Sequence, residues 1–147
     1  MKLFFTLLLS IFSLSLFSQQ VQREKVIVEV GTGTWCSACP AVVQIIHDLQ
    51  NAGAEIAILK YHINDNYQNS DVLIRKIYYD FPCYPTTYYD SNHIGYDDWA
   101  TYSVHESYYT DRINTTSSFS LDLVVDEYDE SLIEGIVTID KVDTYAG

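Results

Sequence analysis

The chain is poor in basic residues, since eight lysines and arginines stand against twenty aspartates and glutamates, and the formal net charge at pH 7 is −12. Nucleic acids and anionic membrane surfaces both select for lysine and arginine on the proteins that bind them. The shortage therefore argues against both classes of partner. The sequence also lacks a flavin- or nicotinamide-binding motif, so we expect no bound cofactor.

Long hydrophobic runs are absent except at the N-terminus. Residues 3–17 are apolar apart from threonine and serine, Lys2 precedes them, and Ser18 offers a cleavage point. The run is too short and wrongly flanked for a transmembrane helix and is typical of a secretory signal peptide. We expect residues 1–18 to be removed on secretion across the inner membrane, which leaves a mature chain of charge about −13 without a transmembrane anchor.

Cysteine is scarce and odd in number, whereas a disulfide framework would use an even number. Cys36 and Cys39 form a Cys-x-x-Cys unit, and Cys83 is left over. Cys83 is either a partner for a mixed or regulatory disulfide or a small buried thiol. Zinc is the other use of Cys-x-x-Cys, but a structural site needs four ligands. Cys83, His47 and His62 form no second close pair, so we expect no metal and interpret the histidines as surface or loop residues.

The hydrophobic pattern predicts alternating strands and helices, which is typical of an α/β fold. The predicted strands cover residues 25–30 and 56–63 and the segment after residue 85, and the predicted helices cover residues 36–50, 70–79 and about 97–113. The second helix should begin at an N-cap formed by Ser70 or Asp71. Its core side should consist of Val72, Leu73, Ile77 and Phe81.

The pattern changes after Asn114. Residues 119–125 and 133–142 alternate between polar and apolar around an acidic turn at 126–130, which predicts a β-hairpin. A lone hairpin is marginally stable in water, so this one either packs on the first domain or opens a truncated β domain. The expected organisation is a signal peptide at 1–18, one domain at 19–113, and the hairpin or truncated β domain at 114–147.

The Cys-x-x-Cys unit lies between a predicted strand and a predicted helix. A cysteine in the first turn of a helix lies near unpaired N–H groups and the positive end of the helix dipole. Both favour the thiolate, which is the nucleophile. Cys-x-x-Cys at such a junction is the sequence form of a thioredoxin-type redox site.

Two separated motifs give the chain a resemblance to the thioredoxin superfamily over residues 25–113. They are Trp-Cys-Ser-Ala-Cys at 35–39 and Tyr-Pro-Thr at 84–86. Residues 33–40, 61–65 and 84–86 also resemble the secreted thioredoxin-like proteins of bacterial envelopes, including the 28-kDa outer-membrane-protein type. The resemblance implies a thioredoxin-like three-layer α/β/α fold with a mixed central sheet, followed by the C-terminal β segment.

The resemblance also implies a role for each matching residue. Cys36 would be the attacking thiolate and Cys39 the resolving thiol. Pro85 would follow a cis peptide bond, which exposes the backbone of the preceding residue to a substrate peptide. Substrate binding and the shape of the site are implied for Trp35, Tyr84, Pro85 and Thr86.

One position departs from the family, because the buried acid that thioredoxins carry five residues before the tryptophan is Val30 here. Glu29 is one residue away, and a shift of one residue in a strand reverses the face. We therefore expect Glu29 to be exposed, with proton transfer left to water, although Glu29 remains a possible proton relay. Lys60 matches a lysine near this site in the family and is either a second possible relay or a solvent-exposed strand end.

Two functions fit these residues. The first is an extracytoplasmic thiol–disulfide oxidoreductase, located in the periplasm, at the outer membrane or outside the cell. It would act on protein or peptide thiols and disulfides and exchange electrons with an unidentified redox partner. The alternative is a non-catalytic binding or structural module of the envelope, in which a thioredoxin scaffold carries a permanent Cys36–Cys39 disulfide.

Overall fold

The computed structural model describes residues 20–93, 101–128 and 133–142. The predicted signal peptide therefore lies outside the described residues. Contacts divide the chain into two units. We call Arg23–Thr115 the Cys-x-x-Cys unit and the remaining residues the hairpin unit. None of the helices found in the described ranges is long and apolar enough to cross a membrane.

A four-stranded mixed sheet forms the centre of the Cys-x-x-Cys unit. Strand β1 (Val26–Thr32) runs parallel to β2 (Ile56–His62) and antiparallel to β3 (Thr86–Tyr89), which pairs with the short β4 (Asn92–His93). The strand order is β2-β1-β3-β4. The central position of β1 explains its apolar sequence, because a strand covered on both faces reads as a continuous hydrophobic run.

In the described part of this unit, three helices accompany the sheet, namely α1 (Cys39–Asn51), α2 (Ser70–Tyr79) and α3 (Tyr102–Ile113). Helix α1 begins three residues later than predicted, with Pro40 in its first turn, where a missing N–H costs little. The predicted third helix began at about residue 97, and residues 94–100 lie outside the described ranges. The mixed α/β class expected from the sequence is thus confirmed.

Two apolar clusters cover the two faces of β1. Val28 and Val30 pack with Val42 and Ile46 of α1 in the first cluster. The second cluster joins Ile63, Val72, Phe81 and Tyr88. Because side chains alternate along a strand, Val28 and Val30 point toward α1 and Glu29 points toward α2.

Helix α2 differs from its predicted core face. Leu73 is 41% exposed and Ile77 is 79% exposed, so their prediction as core residues was wrong, whereas Val72 and Phe81 are buried as predicted. The partly or fully buried positions repeat at helical spacing and are Val72, Arg75, Lys76 and Tyr79. Two of these residues, Arg75 and Tyr79, contact the buried Glu29 carboxylate of β1, so this face of α2 supplies polar partners as well as apolar contacts.

The N-cap of α2 is Asn69, so the prediction of Ser70 or Asp71 as the N-cap was wrong. The Val72 N–H donates a 2.9 Å hydrogen bond to the Asn69 side-chain oxygen. Asn69 has extended backbone angles, which is the usual N-cap conformation.

The hairpin unit contains the predicted antiparallel pair. Strands β5 (Phe119–Tyr128) and β6 (Ile133–Lys141) are paired, and a register shift occurs between Val125 and Glu127. Strand β5 continues past residue 125, where the acidic turn was predicted, while residues 129–132 lie outside the described ranges. Both strands expose apolar side chains, among them Leu121 at 68% and Ile139 at 63%.

Candidate redox site

The site is centred on a disulfide between Cys36 and Cys39 at the start of α1. The Cys39 N–H donates to Cys36 Sγ at 3.1 Å. Cys36 is 8% exposed and Cys39 is 2% exposed. Helix N-termini stabilise negative charge through their free N–H groups and dipole. When the disulfide opens, Cys36 is therefore the better placed sulfur to carry that charge.

Two hydrogen bonds fix the loop that leads into the disulfide. Trp35 Nε1 donates to the Ile63 carbonyl at 2.8 Å, and the Thr34 N–H donates to Asp65 Oδ2 at 2.8 Å. A Cβ atom at Gly33 would lie 2.6 Å from Trp35 Nε1. Glycine at position 33 thus makes room for the indole ring, which remains 52% exposed.

The Tyr84–Pro85 segment lies beside this loop. The Tyr84–Pro85 peptide bond is cis, as the resemblance implied. The Tyr84 ring meets Trp35 edge-on with ring centroids 5.3 Å apart. Pro85 and Thr86 follow directly and are buried. The structure therefore brings Trp35 and Tyr84 together, while the roles of Pro85 and Thr86 stay a prediction.

Cys83 is a free, half-buried thiol in the same segment. Its Sγ lies 3.8 Å from the Pro85 carbonyl oxygen and 3.9 Å from Thr86 Oγ1. Thr86 Oγ1 in turn donates to the Cys83 carbonyl. Within the described part of the chain, no group of three or more histidine, cysteine or acidic residues is arranged to hold a metal.

A cavity of about 250 Å³ opens beside the disulfide. Cys36 and Cys39 line one part of it, and Lys60 and His62 of β2 line another. Lys60 Nζ lies 3.5 Å from His47 Nε2. Lys60, for which a relay role and a solvent-exposed strand end were both predicted, is exposed and also lines the cavity. The structure adds His62, which sequence reasoning left as a surface or loop residue or a weak zinc candidate.

Asp65 links His62 to the loop before the disulfide. Its carboxylate lies 2.8 Å from His62 Nδ1 and accepts hydrogen bonds from the Thr34 and Tyr67 N–H groups. Burial raises the pKa of Asp65, but the hydrogen bonds from His62 and the two amides outweigh it and lower the pKa to about 2. The spacing His62-x-x-Asp65 just after a strand was the available sequence signal for this pair.

Glu29 is 3% exposed, so the prediction that it is solvent-exposed was wrong. Its Oε1 accepts a 2.6 Å hydrogen bond from the Tyr61 hydroxyl and lies 3.1 Å from Arg75 Nη2. The Tyr79 hydroxyl donates to Oε2. Glu29 faces away from Val30 as expected, but α2 and its polar side chains cover that face. The partners lie far along the chain, and for this reason strand alternation alone could not reveal the burial.

The fold and site define a mixed α/β protein with a disulfide at a helix N-terminus. No family model and no curated protein matches the chain. The crystal structure of protein AGR_C_4864 from Agrobacterium tumefaciens is 14% identical with a TM-score of 0.53, and the match covers 69% of this chain and 51% of that chain. HBP35 of Porphyromonas gingivalis is 18% identical with a TM-score of 0.55, and the match covers 74% of this chain and 39% of that chain. At these identities the likeness concerns the fold alone, and the chain spans only about half or less of either structure.

Proposed function

We propose that the protein is an extracytoplasmic thiol–disulfide oxidoreductase with a thioredoxin-like fold. The observation that carries the proposal is the Cys36–Cys39 disulfide at the N-terminus of α1, with the Cys39 N–H on Cys36 Sγ. The mixed sheet and the contact between Trp35 and Tyr84 support the thioredoxin-like assignment. The extracytoplasmic location rests on residues 1–18 and is tested by fractionating cells that express the full chain.

The proposed reaction is a pair of thiol–disulfide exchanges. In the reduced protein, the Cys36 thiolate attacks one sulfur of a substrate disulfide, forms a mixed disulfide and releases the other sulfur as a thiolate. The Cys39 thiol then loses its proton and attacks Cys36 Sγ, which restores the Cys36–Cys39 bond and releases the second substrate thiolate. The substrate gains two electrons, which a dithiol partner later returns to the protein. The same steps in reverse oxidise a substrate dithiol.

Exposed aromatic groups favour protein or peptide substrates over small ones. Trp35, next to Cys36 in the chain, is half exposed and meets the Tyr84 ring edge-on, so aromatic side chains border the disulfide. Extended peptides bind through backbone pairing and through side-chain contacts with such surfaces. We propose that Trp35, Tyr84, Pro85 and Thr86 form this substrate contact.

The reduction potential of the Cys36–Cys39 pair tests the proposal. The protein is equilibrated in thiol–disulfide buffers, and the oxidised fraction is read from Trp35 fluorescence in a Trp99→Phe variant, because Trp99 is the second tryptophan. A potential near about −270 mV indicates a reductase, and one near about −120 mV indicates an oxidant. A potential below about −300 mV marks a structural disulfide and contradicts the proposal.

Turnover of a disulfide substrate, such as insulin with a dithiol reductant, provides the second test. Cys36→Ser should abolish turnover while the protein stays folded. Cys39→Ser should accumulate a mixed disulfide with the substrate, because the resolving thiol is missing. Cys83→Ser is the matched control and should retain turnover. An active Cys36→Ser protein would contradict the proposal.

The alternative function is a non-catalytic envelope module with a permanent disulfide. The low exposure of both cysteines favours it, since a buried disulfide is reached poorly by reductants. It predicts a potential below about −300 mV and no turnover with any dithiol. The two measurements above therefore separate the two functions.

A further inference from the structure

We propose that His62, held in place by Asp65, accepts the proton of the Cys39 thiol during thiol–disulfide exchange. This inference deepens the proposed function and rests on it. In thioredoxins a buried acid accepts this proton, and Val30 occupies its position in this chain. The inference assigns the same task to a histidine of β2.

The hydrogen bond to Asp65 fixes which nitrogen of His62 can act as a base. Asp65 Oδ2 lies 2.8 Å from His62 Nδ1, and an ionised carboxylate only accepts hydrogen bonds. Nδ1 therefore carries the proton, and Nε2 of the neutral imidazole keeps its lone pair. Asp65 also accepts from the Thr34 and Tyr67 N–H groups, so its carboxylate cannot rotate freely away from the imidazole.

His62 and Cys39 line the same cavity beside the disulfide. A base acts on a proton directly or through one intervening water molecule, and a cavity of about 250 Å³ has room for water. Cys39 is 2% exposed in the disulfide form, and burial opposes ionisation of its thiol once the disulfide opens. A base in the cavity therefore has more effect on Cys39 than on Cys36, whose sulfur already receives an N–H.

Lys60 is less suited to accept this proton. It is the other ionisable side chain, besides the cysteines, among the described residues that line the cavity. A lysine ammonium is a donor without a lone pair. Its charge can stabilise a thiolate, and it lies near His47 on α1. The Tyr67 ring also contacts His62, with ring centroids 5.1 Å apart. Among the described contacts, Asp65 is the one carboxylate that lies against the imidazole.

The step balances without a further reagent. The Cys39 S–H proton moves to His62 Nε2 while the Cys39 sulfur forms a bond with Cys36 Sγ. The bond between Cys36 and the substrate sulfur breaks, and its electron pair leaves with the substrate thiolate. The substrate disulfide is the oxidant, and the imidazolium returns its proton to the leaving thiolate or to solvent.

The test separates attack by Cys36 from resolution by Cys39. Reduced protein is mixed with dithiodipyridine, each exchange releases one coloured thiopyridone, and a Cys83→Ser background removes the third thiol. The first released equivalent reports Cys36 and the second reports Cys39. His62→Asn is the main variant. Its amide can donate to Asp65 in place of Nδ1, but it has no basic nitrogen that could accept a proton. His47→Gln is the matched control.

We expect His62→Asn to slow the second phase at neutral pH by roughly a hundredfold, the low end of the range for general bases. The first phase should be unchanged. The second phase of the parent should rise with pH through an inflection that His62→Asn abolishes and His47→Gln preserves. Circular dichroism checks that each variant is folded. If His62→Asn does not fold, His62→Gln is measured in its place.

Different outcomes distinguish the two proposals. If both phases occur in the parent but the second has the same rate and pH profile in His62→Asn, the role of His62 is wrong and the oxidoreductase proposal stands. If the reduced parent shows no second phase, both proposals are wrong. Restoration of the second phase of His62→Asn by added imidazole would support a proton-transfer role over a structural one.

Discussion

The carboxylate of Glu29 is a buried acidic group in the Cys-x-x-Cys unit and needs polar partners to be stable there. It is almost fully buried, and a buried charge without partners is strongly destabilising. Tyr61, Tyr79 and Arg75 supply those partners from β2 and α2. The ring of Tyr79 also stacks on Tyr88 with centroids 4.1 Å apart. The packing of α2 on the sheet therefore depends on one polar cluster as well as on apolar contacts.

Tyr79→Phe should destabilise the protein by about 2 kcal/mol, the usual cost of removing a hydrogen bond to a charged group. The ring and its stacking are kept, so the change isolates the hydroxyl that donates to Glu29. The neighbouring Tyr78 is 69% exposed, and Tyr78→Phe should change the free energy of unfolding by less than about 0.5 kcal/mol. Urea unfolding of both variants measures the difference. Equal effects would show that the Glu29 cluster contributes little.

Asp65 should make stability depend on pH in acid. Its folded pKa of about 2 lies below the usual value, so its ionised form stabilises the folded state. This contribution is fully present above about pH 4 and is lost as pH falls through about 2. Asp65→Asn should therefore be less stable than the parent at neutral pH, and the difference should shrink as pH falls.

Urea unfolding at several pH values, followed by Trp35 fluorescence in the Trp99→Phe background, measures this effect. Asp71→Asn is a suitable control, because Asp71 is an exposed acid at the start of α2. A difference between parent and Asp65→Asn that stays constant down to about pH 2 would show that the charge of Asp65 is not responsible.

At the scale of elements, α2 carries apolar residues that are buried and apolar residues that are exposed, so the effects of composition and burial on stability can be compared within one helix. Val72→Ala should cost roughly 2 kcal/mol, from two buried carbon atoms and the cavity they leave. Ile77→Ala removes a larger side chain but one that is 79% exposed, so its cost should be below about 0.5 kcal/mol. Thermal or urea unfolding checks the ranking. A larger loss for Ile77→Ala would show that this face is covered in solution.

The elements around the disulfide were predictable from the sequence, whereas the buried face of α2 was not. The strand before Cys36 and the helix after it were predictable, because β1 and α1 have continuous and periodic apolar patterns. The face of α2 was not, because Arg75 and Tyr79 turn toward a carboxylate that is 46 and 50 residues away in sequence. The position of His62 at the site was missed for the same reason, since the cavity that it lines together with Cys39 forms only in the folded chain.

At the scale of the whole molecule, several of the few basic residues pair with buried or half-buried acids. Arg23 and Arg112 lie 3.0 and 3.6 Å from Asp90 Oδ2, and Arg75 pairs with Glu29. These arginines are therefore largely committed within the Cys-x-x-Cys unit.

The hairpin unit should bind a hydrophobic dye through its exposed strands. Leu121 and Ile139 are paired across β5 and β6 and are both more than half exposed. Replacing both with threonine keeps the β propensity and removes apolar surface. We expect lower fluorescence of anilinonaphthalene sulfonate with this double variant and no change with the control Thr138→Ser. Unchanged fluorescence in the double variant would show that these side chains are covered in solution.

The position of β2 at the edge of the sheet affects how its side chains meet the surrounding medium. Among the described residues, β2 pairs with β1 on one side only, and it carries both Lys60 and His62. The His62 side chain is 29% exposed, so in the proposed reaction its imidazole can exchange protons directly with the surrounding medium. Under the proposed role of His62, we expect the rate of resolution by Cys39 to fall as soon as the medium is acidified, so that the pH of the surroundings sets this rate.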